Sequence, residues 1–231
     1  MCAFLVNDTL SIDCTKSWSP EDVEIRQIRR NGRVPVQSKQ ALLTDKKNNM
    51  IYAHGGYFTR ETGIETTNLW GFKVDEEGGG SWGRTVVENP SDFANSTLTE
   101  GSAFASATDG GFIFSGAMGR TNFKGYKTFN FTTKVWEEKW DATYSPDGSL
   151  YGGSAVFVEK FGTAGLVFVL GGAIRRFEDP SGYAPPGTVH FYDVAEQKWH
   201  SQKTSGQTPP GWEQGCVVGA EDTGGGDSFE M

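Results

Sequence analysis

Cysteine is scarce in this chain. Cys2, Cys14 and Cys216 are the only three among 231 residues. Their odd number, unrelated spacing and lack of any CxxC exclude a disulfide framework and a cysteine-built zinc site. Histidine is as rare, with His54, His190 and His200 only, and no two of them share a metal-ligand spacing. No apolar run approaches the roughly 18 residues of a spanning helix. The opening "MCAFLVNDTLSIDC" lacks a basic n-region and a long apolar run, so no signal peptide is expected. Positive charge is in deficit, with 21 Lys and Arg against 29 Asp and Glu, net −8. That balance argues against nucleic acid or an anionic membrane surface as partner. The glycine runs at 78–80 and 224–226 lack the Gly-Lys-Ser/Thr ending of a phosphate loop. No serine stands in GxSxG. Acidic pairs such as Glu76–Glu77 and Glu137–Glu138 read as turn or surface residues in the repeat frame, solvated rather than catalytic.

What is abundant is glycine and aromatic residues: 31 Gly, 16 Phe, 7 Trp and 7 Tyr. They recur in order. "NDTLSIDCTKSW" ends at Trp18, "NLWGFKVDEEGGGSW" at Trp82, "YKTFNFTTKVW" at Trp136 and "VHFYDVAEQKW" at Trp199, spaced 64, 54 and 63 residues apart. Before the last three comes an apolar strand ending in small residues: "MIYAHGG" (Gly55, Gly56), "GFIFSGA" (Gly116, Ala117) and "LVFVLGG" (Gly171, Gly172). A shorter strand-like run precedes each of those. One period is therefore four strands joined by turns, the signature of a propeller blade. Glycine ends a buried strand where a Cβ would clash or φ must be positive. Asp13, Asp75 and Asp193 close the third strand, where a short carboxylate accepts hydrogen bonds from the following turn. The four tryptophans supply apolar plates for packing between sheets. In "SPEDVEIRQI", Ser19 and Pro20 resemble a helix start, but the alternation of Val23, Ile25 and Gln27 reads as strand.

The double glycine, the third strand ending in Asp and the Trp six residues on resemble the kelch repeat. The segments "FLVNDTLSID", "SWSPEDVEIRQI", "PSDFANST", "GLVFVLGG" and "YDVAEQKWHSQKTSGQTP" resemble the fungal kelch-repeat surface proteins, some of them wall-anchored. The third repeat departs, with Gly-Ala for Gly-Gly and Asn130 for the aspartate. The expected fold is an all-β, incomplete kelch-type β-propeller over 1–219. It comprises half a blade at the N-terminus, three full four-stranded blades and one strand at the C-terminus. A Gly-rich acidic tail at 220–231 is expected to lack fixed structure. So few blades suggest a fragment whose open edges self-associate.

The resemblance implies a secreted or membrane/cell-wall-anchored parent. Sequons at Asn7, Asn95 and Asn130 agree with that weakly, Asn95 being the best placed in a polar loop. No catalytic residue, cofactor site or metal site is read from the sequence. The function expected is non-catalytic recognition of a protein or glycan through long loops on one face. The alternative is a piece of a copper enzyme like galactose oxidase, another kelch propeller, with its ligands in missing blades. An arginine follows each glycine pair: Arg60, Arg120, and Arg175 with Arg176. These converge as a positive mouth flanked by Phe177 and Tyr183, or pair with Glu61, Glu65, Glu178 and Asp179 in their own loops.

Overall fold

A computed structural model describes residues 8–30, 34–57, 68–174, 182–221 and 229–230. Three four-stranded antiparallel sheets follow one another along the chain, each a meander in which sequence neighbours pair. The first holds β3 (Ala41–Asp45), β4 (Met50–His54), β5 (Trp70–Val74) and β6 (Gly80–Arg84). The second holds β7 (Ala103–Ser106), β8 (Gly110–Phe114), β11 (Tyr126–Asn130) and β12 (Trp136–Lys139). Between β8 and β11 a small hairpin forms from β9 (Ala117–Met118) and β10 (Thr121–Asn122). The third sheet holds β13 (Ser154–Val158), β14 (Leu166–Leu170), β15 (Thr188–Asp193) and β16 (Lys198–Lys203). Ahead of them, β1 (Asp8–Ile12) pairs with β2 (Ile25–Arg29), and a turn at 19–23 precedes β2. A five-residue helix, α1 (Pro90–Ala94), lies between the first two sheets in sequence.

The cores lie between the sheets rather than within them. Leu43, Tyr52 and Leu69 of the first unit meet Ile113, Phe129, Phe131 and Trp136 of the second. Ala105, Phe112 and Phe114 of the second meet Val167, Val169 and Tyr192 of the third. Trp70 and Ala53 pack with Val34 on the far side of the first sheet. The second sheet is buried on both faces in this way, which explains "GFIFSGA" as an unbroken apolar run, whereas in β14 only the alternate residues Val167 and Val169 are buried.

The repeat tryptophans work as expected in three units and not in the fourth. Trp82, Trp136 and Trp199 each stand opposite an aromatic residue of the preceding strand: Phe72, Phe129 and Tyr192. Trp18 instead lies in the long loop between β1 and β2 and is 49% exposed. Among the described residues no sheet covers it, so it does not pack as the other three do. Leu10 and Ile25 are likewise exposed on that hairpin.

The glycine pairs need one correction. Positive φ falls on Gly55 and Gly56 (67° and 105°) and on Gly171 and Gly172 (63° and 91°), immediately after β4 and β14. In the second sheet the same positions after β8 are Ser115 and Gly116 (49° and 97°), not Gly116 and Ala117. Ser115 tolerates the left-handed region because its hydroxyl, fully buried, donates to Phe123 O at 2.5 Å and accepts from Leu150 N at 2.6 Å. Ala117 belongs to the next position, bridged to Glu100.

Two backbone hydrogen bonds join each sheet to the next. Gly56 N donates to Thr99 O (2.9 Å), Gly116 N to Leu150 O (2.8 Å) and Gly172 N to Trp212 O (2.7 Å). A second series runs Gly101 N to Lys39 O (3.2 Å), Gly152 N to Gly101 O (2.7 Å) and Gln214 N to Gly152 O (2.6 Å). Lys39, Gly101, Gly152 and Gln214 all have φ between 57° and 66°. The segment around Gln214 thus stands where a further unit begins. In the tail, β17 (Ala220–Glu221) pairs with β18 (Phe229–Glu230). Among the described residues the sheets do not close into a ring.

Candidate recognition face

Register fixes which loops share an end. Ala41 opposes His54, Ala53 opposes Trp70, and Trp70 opposes Arg84. The segment before β3, the β4–β5 loop and the departure from β6 therefore emerge together, and the other two sheets repeat the arrangement. Isolated bridges Ser38↔Tyr57, Glu100↔Ala117 and Tyr151↔Ala173 tie the first two of these at each unit.

Near the inner strands this end is crossed by one side-chain cluster. Lys39 Nζ donates to Tyr151 Oη at 2.6 Å, lies 5.3 Å from that ring centroid and sits 3.9 Å from Glu100 Oε2. Residues preceding β3, β7 and β13 thus meet at one point, although Lys39 and Tyr151 are 112 residues apart. Tyr151 is buried, whereas the Lys39 side chain is 45% exposed. Such a cluster offers an ammonium and a phenol beside a carboxylate, suited to holding a hydroxyl or carboxylate of a ligand.

Exposed apolar side chains flank it at the same end. Tyr57, Met118, Trp140 and Tyr183 are all exposed, and Trp140 rests on Phe123 with ring centroids 5.0 Å apart. Arg120 is exposed at the tip of the β9–β10 hairpin. Arg60, Arg175, Arg176 and Phe177 lie outside the described residues, as does Asn7, so the proposed arginine ring has one described member. A cleft of about 460 Å³ opens beside Trp212, lined also by Tyr144, Leu170, Pro185, His190 and Val218. A larger groove, about 680 Å³, opens at the opposite end between the second and third sheets, among Asp109, Asn130, Glu137 and Gln197.

The turn residues obey one rule. Asp193 Oδ1 accepts from Ala195 N and Glu196 N, both at 2.9 Å. Asp75 Oδ1 accepts from Glu77 N and Gly79 N, and Asp13 Oδ1 from Thr15 N. Asn130 Oδ1 accepts from Thr132 N and Thr133 N in the same way, so the amide performs the carboxylate's task. Asn130 is exposed, and Asn95 is exposed at the C-terminal end of α1.

The three histidines stand apart. His200 Nε2 lies 3.5 Å from Glu196 Oε2, and His190 is half-buried, its pKa lowered by burial. His54 is 2% exposed with neither ring nitrogen hydrogen-bonded, and burial holds its pKa well below the usual value, with Lys127 adding to the effect. Sequence reasoning missed Lys127 entirely. This lysine is fully buried in β11, donates to Thr99 Oγ1 at 2.9 Å, and lies 4.2 Å from the Phe123 ring centroid. Burial pushes it down to about 7, against the upward pull of Glu138. Among the described residues no group of three or more His, Cys, Asp and Glu is placed to hold a metal ion.

No family model matches the chain, and no curated protein matches it. The solved structure of YjhT superposes with a TM-score of 0.51 at 15% identity, over 77% of this chain and 53% of that one. At that identity the likeness concerns fold alone, and the chain spans about half of YjhT's length. What fold and comparison together establish is an all-β chain of repeated four-stranded antiparallel sheets, consistent with the blades of a β-propeller.

Proposed function

We propose that this chain is an arc of a kelch-type β-propeller and acts as a non-catalytic scaffold, recognising a protein or glycan through the end described above. The observation that carries the reading is the convergence of Lys39, Glu100 and Tyr151 from three units, with Tyr57, Trp140 and Tyr183 exposed at the same end. Exposed aromatic residues around a polar centre are the usual anchors of an interface. The sequence resemblance to fungal kelch-repeat surface proteins supports a secreted or wall-anchored parent, with Asn95 as its glycan acceptor. The apolar residues left open on the β1–β2 hairpin support association between copies. Sedimentation at micromolar concentration reads that property, and a single monomeric species counts against it.

The test of recognition is binding to glycan and peptide arrays by the 231-residue chain and by a Tyr57→Ala, Trp140→Ala, Tyr183→Ala variant. The expected result is a ligand bound by the parent and lost by the triple variant, with the melting temperature unchanged. A ligand bound equally by both would place recognition elsewhere. Turnover dependent on a particular side chain would end the non-catalytic reading.

A further inference from the structure

His54, on the Tyr52 side of β4, and Lys127, on the Phe129 side of β11, both face the contact between the first and second sheets. That contact is built mostly of apolar and aromatic side chains, with Lys134 bonded to Tyr52 Oη within it. The His54 ring lies 4.5 Å from the Trp136 ring and 5.7 Å from Phe93. Both of its nitrogens are buried and unpartnered. The Lys127 ammonium has Thr99 Oγ1 and the Phe123 ring as its neighbours, and Thr99 Oγ1 is in turn 2.9 Å from Ser102 Oγ. The one acid acting on it is Glu138 of β12, whose Oε1 already accepts from Ser96 Oγ and Thr97 N. From α1 comes Phe93 and from the loop before β11 comes Phe123, neither of them titratable.

The fold does not require polar groups here. Register shows this directly. Lys127 lies two residues before Phe129, opposite Glu138, and the corresponding residue of the first sheet, two before Phe72, is Trp70. His54 is the last residue before its positive-φ pair, and its counterparts are Phe114 and Leu170. The third sheet carries His190 at the Lys127 position, two before Tyr192, but beside Leu170. Among the described residues the contact between the first two sheets alone brings two bases to these positions, with no acid bonded to either.

We propose that His54 and Lys127 form a proton-sensitive latch between the first two sheets, closed while the bases are uncharged and opened when they take up protons. Opening hydrates both groups, so the open form binds more protons than the closed one. The sign follows: falling pH favours opening. For Lys127 the window runs from its ordinary value of 10.5 down to about 7, below which it is charged in both forms. His54 extends the effect below its ordinary value of 6.5. Within either window one additional proton shifts the opening equilibrium about tenfold per pH unit. Because His54 and Lys127 lie at the long-loop end, opening rearranges the candidate recognition face, but the latch stands or falls independently of any ligand.

The experiment is amide hydrogen exchange on the full chain between pH 9 and 5, corrected for intrinsic rates, which enters the windows of both Lys127 and His54. In the parent, protection of β4 and β11 amides is expected to fall about tenfold per pH unit between pH 9 and 7, through Lys127, and again below 6.5, through His54, while β13 changes little. In a His54→Phe, Lys127→Met variant, the first change copying Phe114 at the equivalent position of the second sheet, that slope is expected to vanish. An unchanged slope in the variant overturns the proposal. An NMR titration of the His54 ring in the unaltered chain gives a second reading if the variant does not fold. His54 titrating near its ordinary value, with β4 protection intact, also overturns it.

Discussion

Replacing Gly55 with alanine tests the closeness of the first two sheets. A Cβ at this position would stand 2.2 Å from the carbonyl oxygen of Thr99, a backbone atom. Gly55 also has φ of 67°, which costs an L-residue about 1–2 kcal/mol. Relieving the clash requires Thr99 to move, and Thr99 O is the acceptor for Gly56 N at 2.9 Å. A buried N–H left without a partner costs about 1–3 kcal/mol. Together the two effects amount to about 3 kcal/mol, or a melting temperature lower by about 6–12 °C for a chain of this size. Circular dichroism melts of three variants separate the contributions. Gly119 has φ of 60° but open space around it, so Gly119→Ala should show the backbone penalty alone, about 1 kcal/mol. Gly83 has neither positive φ nor any atom within 4 Å, so Gly83→Ala should be near neutral. If Gly55→Ala costs no more than Gly119→Ala, the close approach of the sheets is refuted.

Ser115→Ala should destabilise by about 2–4 kcal/mol, because it strands Leu150 N and Phe123 O in the interior. Ser115→Gly should lose about 1 kcal/mol less, since glycine relieves the positive φ, and urea melts rank the pair. Trp136→Ala should cost about 3–5 kcal/mol as a cavity between sheets, whereas Trp18→Ala should change stability by under about 0.5 kcal/mol; equal effects would contradict the placement of Trp18. Lys127 bears on global stability as well: its folded value is depressed from 10.5 to about 7, so stability should rise as pH climbs through that window. The gain approaches about 5 kcal/mol at 1.36 kcal/mol per unit, and Lys127→Met should flatten melting temperature against pH.

Strand order and the position of three repeat tryptophans were legible because each rests on a short-range pattern: alternation, a glycine pair, an Asx-closed turn. Asn130 was read as a departure, yet its side-chain oxygen makes the same two bonds as Asp193. The pattern recorded the residue type, while the turn uses only an acceptor oxygen. Ser115 was misread for the mirror-image reason, since glycine is the usual left-handed residue and a serine held by two long-range hydrogen bonds leaves no local signal. The series at Lys39, Gly101, Gly152 and Gln214 escaped notice because only two of its four members are glycine. Lys127 and His54 were invisible as a pair: 73 residues separate them, and only the stacking of sheets brings them together. The Lys39–Tyr151 contact likewise depends on where three units converge.

The central claim is that successive sheets are joined, unit to unit, by backbone hydrogen bonds through residues outside the strands. The most direct measurement is residue-resolved exchange of the Gly101, Gly152 and Gln214 amides, which donate to Lys39, Gly101 and Gly152 carbonyls. These three should exchange as slowly as amides within β8 and β14, while the exposed Gly119 and Arg120 amides exchange quickly. Loop-like exchange at Gly101 and Gly152, with the strands still protected, would show sheets that fold singly and are not joined in this register.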